Sequence, residues 1–221
     1  YKLTKTGGNQ VSIVAADVDP KLGDIDIQQG LMGWETVTSS MGDPASNIIV
    51  RAGATLSFYN SSTPWNKHFI LYGNGVDTNL YNWSGANVVI GPMQLNGDCV
   101  FWGGGTSLLL SNVVSGAGAL IKNGPYNLEL AADNTYTGKT TVNAGSLILL
   151  GNGAITGSAV IQVAASAILD ATGRSDKTLS VGTGQTLTGD GTLNGNVDVN
   201  AGAILAPGTS IGTLAFGTNL T

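Results

Sequence analysis

Residues 140–148 read T-T-V-N-A-G-S-L-I, and the pattern apolar-x-apolar-x-x-Gly-x-x-apolar returns in six places, starting at positions 25, 48, 140, 161, 179 and 197. The other copies are I-D-I-Q-Q-G-L-M-G, I-I-V-R-A-G-A-T-L, I-Q-V-A-A-S-A-I-L, L-S-V-G-T-G-Q-T-L and V-D-V-N-A-G-A-I-L, of which the copy at 25 fits least well. Alternation at the first and third positions puts both side chains on one face of a strand. The sixth position, Gly in every copy but Ser166, suits a bend with positive φ. The phrase therefore reads strand, corner, strand. Its spacings of 21, 18 and 18 residues in the second half are too short for βαβ crossovers and too regular for unrelated hairpins.

An all-β, parallel β-helix (solenoid) of roughly 10–11 coils accounts for the repetition, with about 20 residues per coil and a rod on the order of 50 Å long. Equivalent residues then stack in columns. One expected column is Val142, Val163, Val181 and Val199; a second is Ile148, Leu169, Leu187 and Leu205. An antiparallel sandwich competes, because Asn-Gly pairs begin at Asn74, Asn96, Asn123, Asn152 and Asn194. Hairpins, however, give no reason for one phrase to recur in constant phase.

The composition describes an unusual soluble surface, built from Asn, Thr, Ser and turns. Of 221 residues, 42% are apolar but only 10% are charged, and 33 are Gly. Mean hydropathy is +0.18 and the isoelectric point is about 4.5. Charge runs are absent and the net charge is -5, which argues against nucleic acid and anionic membrane as partners. No apolar run is long enough for direct membrane insertion as a helix. Cys99 stands alone and reads as a small buried apolar residue. The abrupt opening at Tyr1 is expected of a piece of a longer protein, with adjoining repeats, a cap or self-association covering the ends.

From Gly118 to Leu147 the chain reads G-A-L-I-K-N-G-P-Y-N-L-E-L-A-A-D-N-T-Y-T-G-K-T-T-V-N-A-G-S-L. This closely resembles the autotransporter-associated β-strand repeat of bacterial passenger proteins: G-x-L-x-K-x-G, then L-x-L, then N-T-Y-T-G-x-T-x-V-x-x-G-x-L. Asn134–Gly138 carry the signature unchanged, while Pro125 and Tyr126 stand where the family usually has a second Gly. A-G-A-I-L-A-P-G-T-S-I-G-T-L from Ala201 resembles the phrase that follows such repeats, and L-T-K-T-G from Leu3 resembles a degenerate earlier copy, with V-D-P-K-L-G in place of N-T-Y-T-G. The resemblance implies an extracellular or cell-surface, right-handed parallel β-helix of a stalk or passenger, and the repeat is not known as a catalytic unit. The organisation expected is a single β-helix segment, 1–221, with divergent aromatic-rich coils or a loop at 34–117 and clear repeats at 118–221.

Ten of the fourteen aromatics fall between Trp34 and Trp102. Exposed rings beside Asn and Asp stack on sugar faces while the polar groups bond hydroxyls, so Trp65, Tyr72, Tyr81, Trp83 and Trp102 are candidates for carbohydrate binding, with Asn66, Asp77 and Asn82 nearby. The alternative is that the rings fill wide coils or fasten a loop. Asp17, Asp19, Asp24 and Asp26 lack EF-hand or β-roll spacing, and a solvated turn with two outward strand residues suits them better than Ca²⁺. G-T-S-I-G at 208–212 matches a nucleophile elbow around Ser210, yet no helix follows and His68, read as a loop or surface residue, is far away in sequence. G-N-G-A-I-T-G at 151–157 misses the dinucleotide fingerprint. With only Glu35 and Glu129 as glutamates and Arg51 and Arg174 as arginines, the supply for a polysaccharide-degrading enzyme is thin. No catalytic residue, metal site or cofactor is expected. The reading is a non-catalytic display or adhesion segment, with a glycan as a possible ligand.

Overall fold

The computed structural model describes residues 1–208 and 213–221, and these form strands without a helix. Every strand pairing is parallel, and the chain winds through about ten turns as a solenoid. The G-T-S-I-G reading centred on Ser210 lies outside the described residues.

The coil has three faces. The first is built by Leu3–Lys5, Ile25–Ile27, Asn47–Val50, residues 68–71 and 93–95, and Val114–Gly116, and resumes at Thr178–Val181 and Asn196–Val199. The second runs from Gln10–Val14 through Gly30–Glu35, Ala54–Tyr59, residues 78–82 and 99–103, Leu120–Lys122, Thr140–Val142, Val160–Val163 and Thr186–Gly189 to Ile204–Pro207. The third takes over at Ala86–Val89 and continues through Ser107–Leu110, Asn127–Leu130, Gly145–Leu149, Ala167–Asp170 and Thr192–Asn194 to Ala215–Phe216. Two long strands, His68–Ser84 and Met93–Gly103, bend from the first face onto the second without a break. They join those faces into one 14-stranded sheet.

Period-2 alternation fills the interior. In Gly145–Leu149, Leu147 and Leu149 point inward and are buried while Ile148 is half-buried on the outside. One hydrophobic core runs from Leu22 to Leu214 through every coil. Backbone donors and acceptors are met by the coil above and the coil below, which is why irregular corners are tolerated while strands stay short. The sixth-position glycines Gly30, Gly53, Gly145, Gly184 and Gly202 all have positive φ, as the bend requires.

The expected columns are corrected by the register. Val142 pairs with Val163, but Val163 pairs with Gly189 on the second face, whereas Val181 pairs with Val199 on the first. Likewise Leu169 pairs with Leu147 and Leu193 on the third face, Ile148 pairs with Asp170, and Leu187 pairs with Leu205 on the second. The nine-residue phrase encodes a corner but not which corner. Copies at 25, 48, 179 and 197 turn from the first face to the second; those at 140 and 161 turn from the second to the third. The 18-residue step from 161 to 179 crosses only part of a coil, since Ile161 meets its true neighbour Leu187 at a separation of 26 residues.

Candidate functional site

The signature residues of the repeat turn out to be corner and stacking devices. Lys122, the lysine of G-x-L-x-K-x-G, is fully buried and donates to the carbonyls of Asn123, Gly124 and Ala144 at 3.4, 2.8 and 2.9 Å. Its Nζ also lies 4.0 Å from the centroid of the Tyr126 ring. Tyr126, the departure from the family pattern, thus fills the corner and faces the cation. Lys5 repeats this geometry, donating to Thr6, Gly7 and Gln29 at 3.0, 2.6 and 2.9 Å. In both cases the third acceptor precedes the sixth-position glycine of the next coil. Lys67, which no motif marks, is buried as well and donates to Leu22, Gly23 and Asp43 at 3.2, 2.7 and 2.7 Å. Burial lowers the pKa of Lys67 and pushes that of Lys122 down to about 7.

N-T-Y-T-G joins three coils. Asn134 accepts from the Val114 amide at 2.9 Å and donates to the carbonyls of Ala132 and Ala154 at 2.8 and 2.9 Å. The Tyr136 hydroxyl meets Thr140 Oγ1 at 2.6 Å, Thr140 meets Ser158 at 2.9 Å, and Ser158 donates to the Gly138 carbonyl at 2.9 Å. All four polar side chains are buried and paired, so the motif's chemistry is spent on stacking.

The aromatic segment divides by strand parity. Trp34, Phe58, Phe69 and Phe101 point inward and are fully buried. Trp65 is also fully buried, stacked on Phe58 at 5.9 Å between centroids, so it offers no face to a sugar and leaves the candidate set. Asn82 is buried too, accepting from Asn87 at 2.6 Å and donating to the Ser107 carbonyl at 3.0 Å, instead of facing a ligand. Tyr72, Trp83 and Trp102 are exposed at 39%, 46% and 37%. Tyr72 lies apart on the other side of the bend, beneath the Arg51 guanidinium at 5.4 Å. Tyr81 gathers the remainder: its ring is 4.9 Å from Trp83 and 5.0 Å from Trp102. Trp65 sits in an irregular segment, where no alternation in the sequence shows which way a side chain points.

The other candidates are dispersed. Asp17 accepts from Ser39, Asp19 from the Lys21 amide and Asp24 from Asn47. Asp26 stands on the outer side of its strand, as expected, yet it is covered by Arg51 at 2.9 Å and Lys2 at 3.0 Å and is not solvated. The Arg51 hydrogen bond, opposed by burial and helped by Lys2, lowers its pKa to about 2. His68 opens a strand and is half-buried, not a loop residue. Glu35 is on the second face and Glu129 on the third, where burial raises the Glu129 pKa. Residues 151–157 form a corner whose Gly151 bridges to Arg174. No helix among the described residues is long and apolar enough to cross a membrane.

Parallel stacking with corner-capping lysines and a three-coil asparagine defines a repeat solenoid whose motif residues hold coils together. Residues 120–149 match the passenger-associated-transport-repeat family, so the chain carries a repeat of the kind found in autotransporter passengers. It is 38% identical over 122 residues to the adhesin BmaC autotransporter of Brucella suis biovar 1 (strain 1330), covering 55% of this chain and 3% of that protein. It is 56% identical over 41 residues to the Neisserial autotransporter lipoprotein NalP of Neisseria meningitidis serogroup B (strain ATCC BAA-335 / MC58), covering 19% of this chain and 4% of that protein. The chain thus spans a small fraction of the length of these relatives. No solved structure matches it.

Proposed function

We propose that the chain is a non-catalytic, surface-exposed segment of a passenger, serving as a rigid display element with an adhesin-like role. The observation that carries this reading is the uninterrupted core from Leu22 to Leu214, with each coil fixed to the next by backbone pairing and buried side-chain bonds. Such a rod transmits position. Its length follows the number of coils, at roughly 4.8 Å per rung. Similarity to an adhesin-named autotransporter supports the location and the role. Glu35 and Glu129, the two glutamates, stand on different faces and so do not form a carboxylate pair for glycoside hydrolysis. The polar corners and low charge suit contact with water along the whole rod.

Proteolysis of intact cells that make the parent protein tests the reading. Loss of an epitope within residues 1–221, with a periplasmic marker untouched, is the expected result. An epitope that is cut only after the cells are opened overturns it.

A further inference from the structure

The outer surface of the second face contains one step. Along a single outward column the in-register residues are Ser12, Gly33, Ser57, Tyr81 and Trp102. Small residues give way to large rings within one rung. Beside the step lies a shallow groove lined by Leu31, Thr55, Thr78, Tyr81 and Trp102, none of them charged.

The wall of this groove is held in place by its own rings. Tyr81 lies tilted against Trp102 with centroids 5.0 Å apart and edge-on to Trp83 at 4.9 Å, so neither indole leaves without breaking an aromatic contact. Both indoles nevertheless remain exposed. On the floor, the Thr55 hydroxyl donates to the Thr78 carbonyl at 2.6 Å, which leaves its oxygen lone pairs to accept.

The chemistry selects an occupant. A nucleic acid needs cations, and none lines the groove. A wholly apolar ligand needs depth, which the groove lacks. A pyranose offers apolar C–H faces to rings and hydroxyls to threonines without asking for charge. The rung spacing of roughly 4.8 Å is also close to the length of one sugar unit in an extended chain. We propose that this groove binds a short neutral oligosaccharide laid along the rod axis, its ring faces on Tyr81 and Trp102 and its hydroxyls on Thr55 and Thr78. The proposal rests on the passenger reading for its biological sense, since an exposed face is one that meets polysaccharide.

The test is a screen of the purified chain against neutral, anionic and peptide probes, followed by titration of the best neutral oligosaccharide with tryptophan fluorescence as readout. Expected are saturable binding of a neutral oligosaccharide and a weakening on the order of tenfold in Trp102→Ser, with the thermal midpoint nearly unchanged. Thr55→Val, which deletes a hydroxyl at nearly constant volume, should weaken binding as well and serves if the indole variant fails to fold. Absence of binding to every neutral oligosaccharide, a preference for peptides or anionic glycans, or binding unchanged in the folded variants overturns the proposal. Because the screen uses purified chain, its failure leaves the intact-cell result standing, and a failure of the intact-cell result leaves the screen standing.

Discussion

Lys122 donates to the carbonyl of Ala144, one coil further on, at 2.9 Å, as Lys5 does to Gln29 at the same distance. A lysine in one coil and the glycine corner of the next are therefore one device, used at two different corners of the solenoid. The burial of this cation has consequences for stability against pH.

Burial holds the Lys122 pKa at about 7 against 10.5 for an ordinary lysine, so between these values the unfolded chain binds more protons than the folded one and stability rises with pH. Lys67 acts in the same direction. The buried Cys99 thiol is pushed up to about 12 from 9.0, so above pH 9 the unfolded chain loses protons first and stability falls. Buried Tyr126 and Tyr136, both raised by burial, add to that fall. Thermal midpoints measured from pH 7 to 11 should pass through a maximum near about pH 9. Lys122→Met should flatten the rising limb, and Cys99→Ala should soften the falling one.

Asn134→Ala removes the partner of one buried amide and two carbonyls in three successive coils. A loss of about 3 kcal/mol or more in chemical denaturation is expected. Asn134→Asp should be no better, because a carboxylate cannot donate to the carbonyls of Ala132 and Ala154.

At Gly138, the last residue of N-T-Y-T-G, an added Cβ would lie 2.3 Å from the carbonyl oxygen of Gly118. Both atoms that clash are backbone or tied to it, so the coils must separate locally. Gly138→Ala should cost about 1–3 kcal/mol, read as a lowered denaturant midpoint. Gly7→Ala, where a Cβ meets nothing within 4 Å, separates crowding from the conformational cost of its φ of 77°.

Asp26, lowered to about 2 from 3.8 chiefly by the Arg51 hydrogen bond, contributes stability that is complete above its unfolded value and is lost as pH falls toward 2. Asp176, lowered likewise beside Arg174, shares this acid limb. Arg51 and Lys2 are 43% and 51% exposed, so solvent screening keeps the Asp26 part below about 1 kcal/mol. Arg51→Met should shrink the loss of stability between pH 4 and 2 without abolishing it, as followed by circular dichroism.

The solenoid was legible in the sequence because the nine-residue phrase records what a corner needs: two inward side chains, a positive-φ glycine in five copies of six and, at Leu56, Leu169, Leu187 and Leu205, an inward side chain again. Which corner it records was not legible, because the faces are alike in alternation and the chain changes phase through the longer coil between Ile161 and Leu187. The aromatic site was half visible. Trp83 and Trp102 lie in strands, where parity against Asn82 and Phe101 sends them outward, while Trp65 lies where no parity exists. Lys67 gave no signal, since its carbonyl partners come from Leu22, Gly23 and Asp43, coils away in the chain.

The claim on which the rest depends is that register is kept from coil to coil. Thr4 is linked to Ser115 through Asp26, Ile49, Ile70 and Gln94, five parallel pairings in one outward column. Spin labels at Thr4→Cys and Ser115→Cys, in a Cys99→Ala background, report that distance directly by double electron–electron resonance. The stacked coil predicts one narrow distribution centred at about 24 Å, five rungs of roughly 4.8 Å. A broad distribution, or a sharp one centred far from that value, would contradict the solenoid and the display function built upon it.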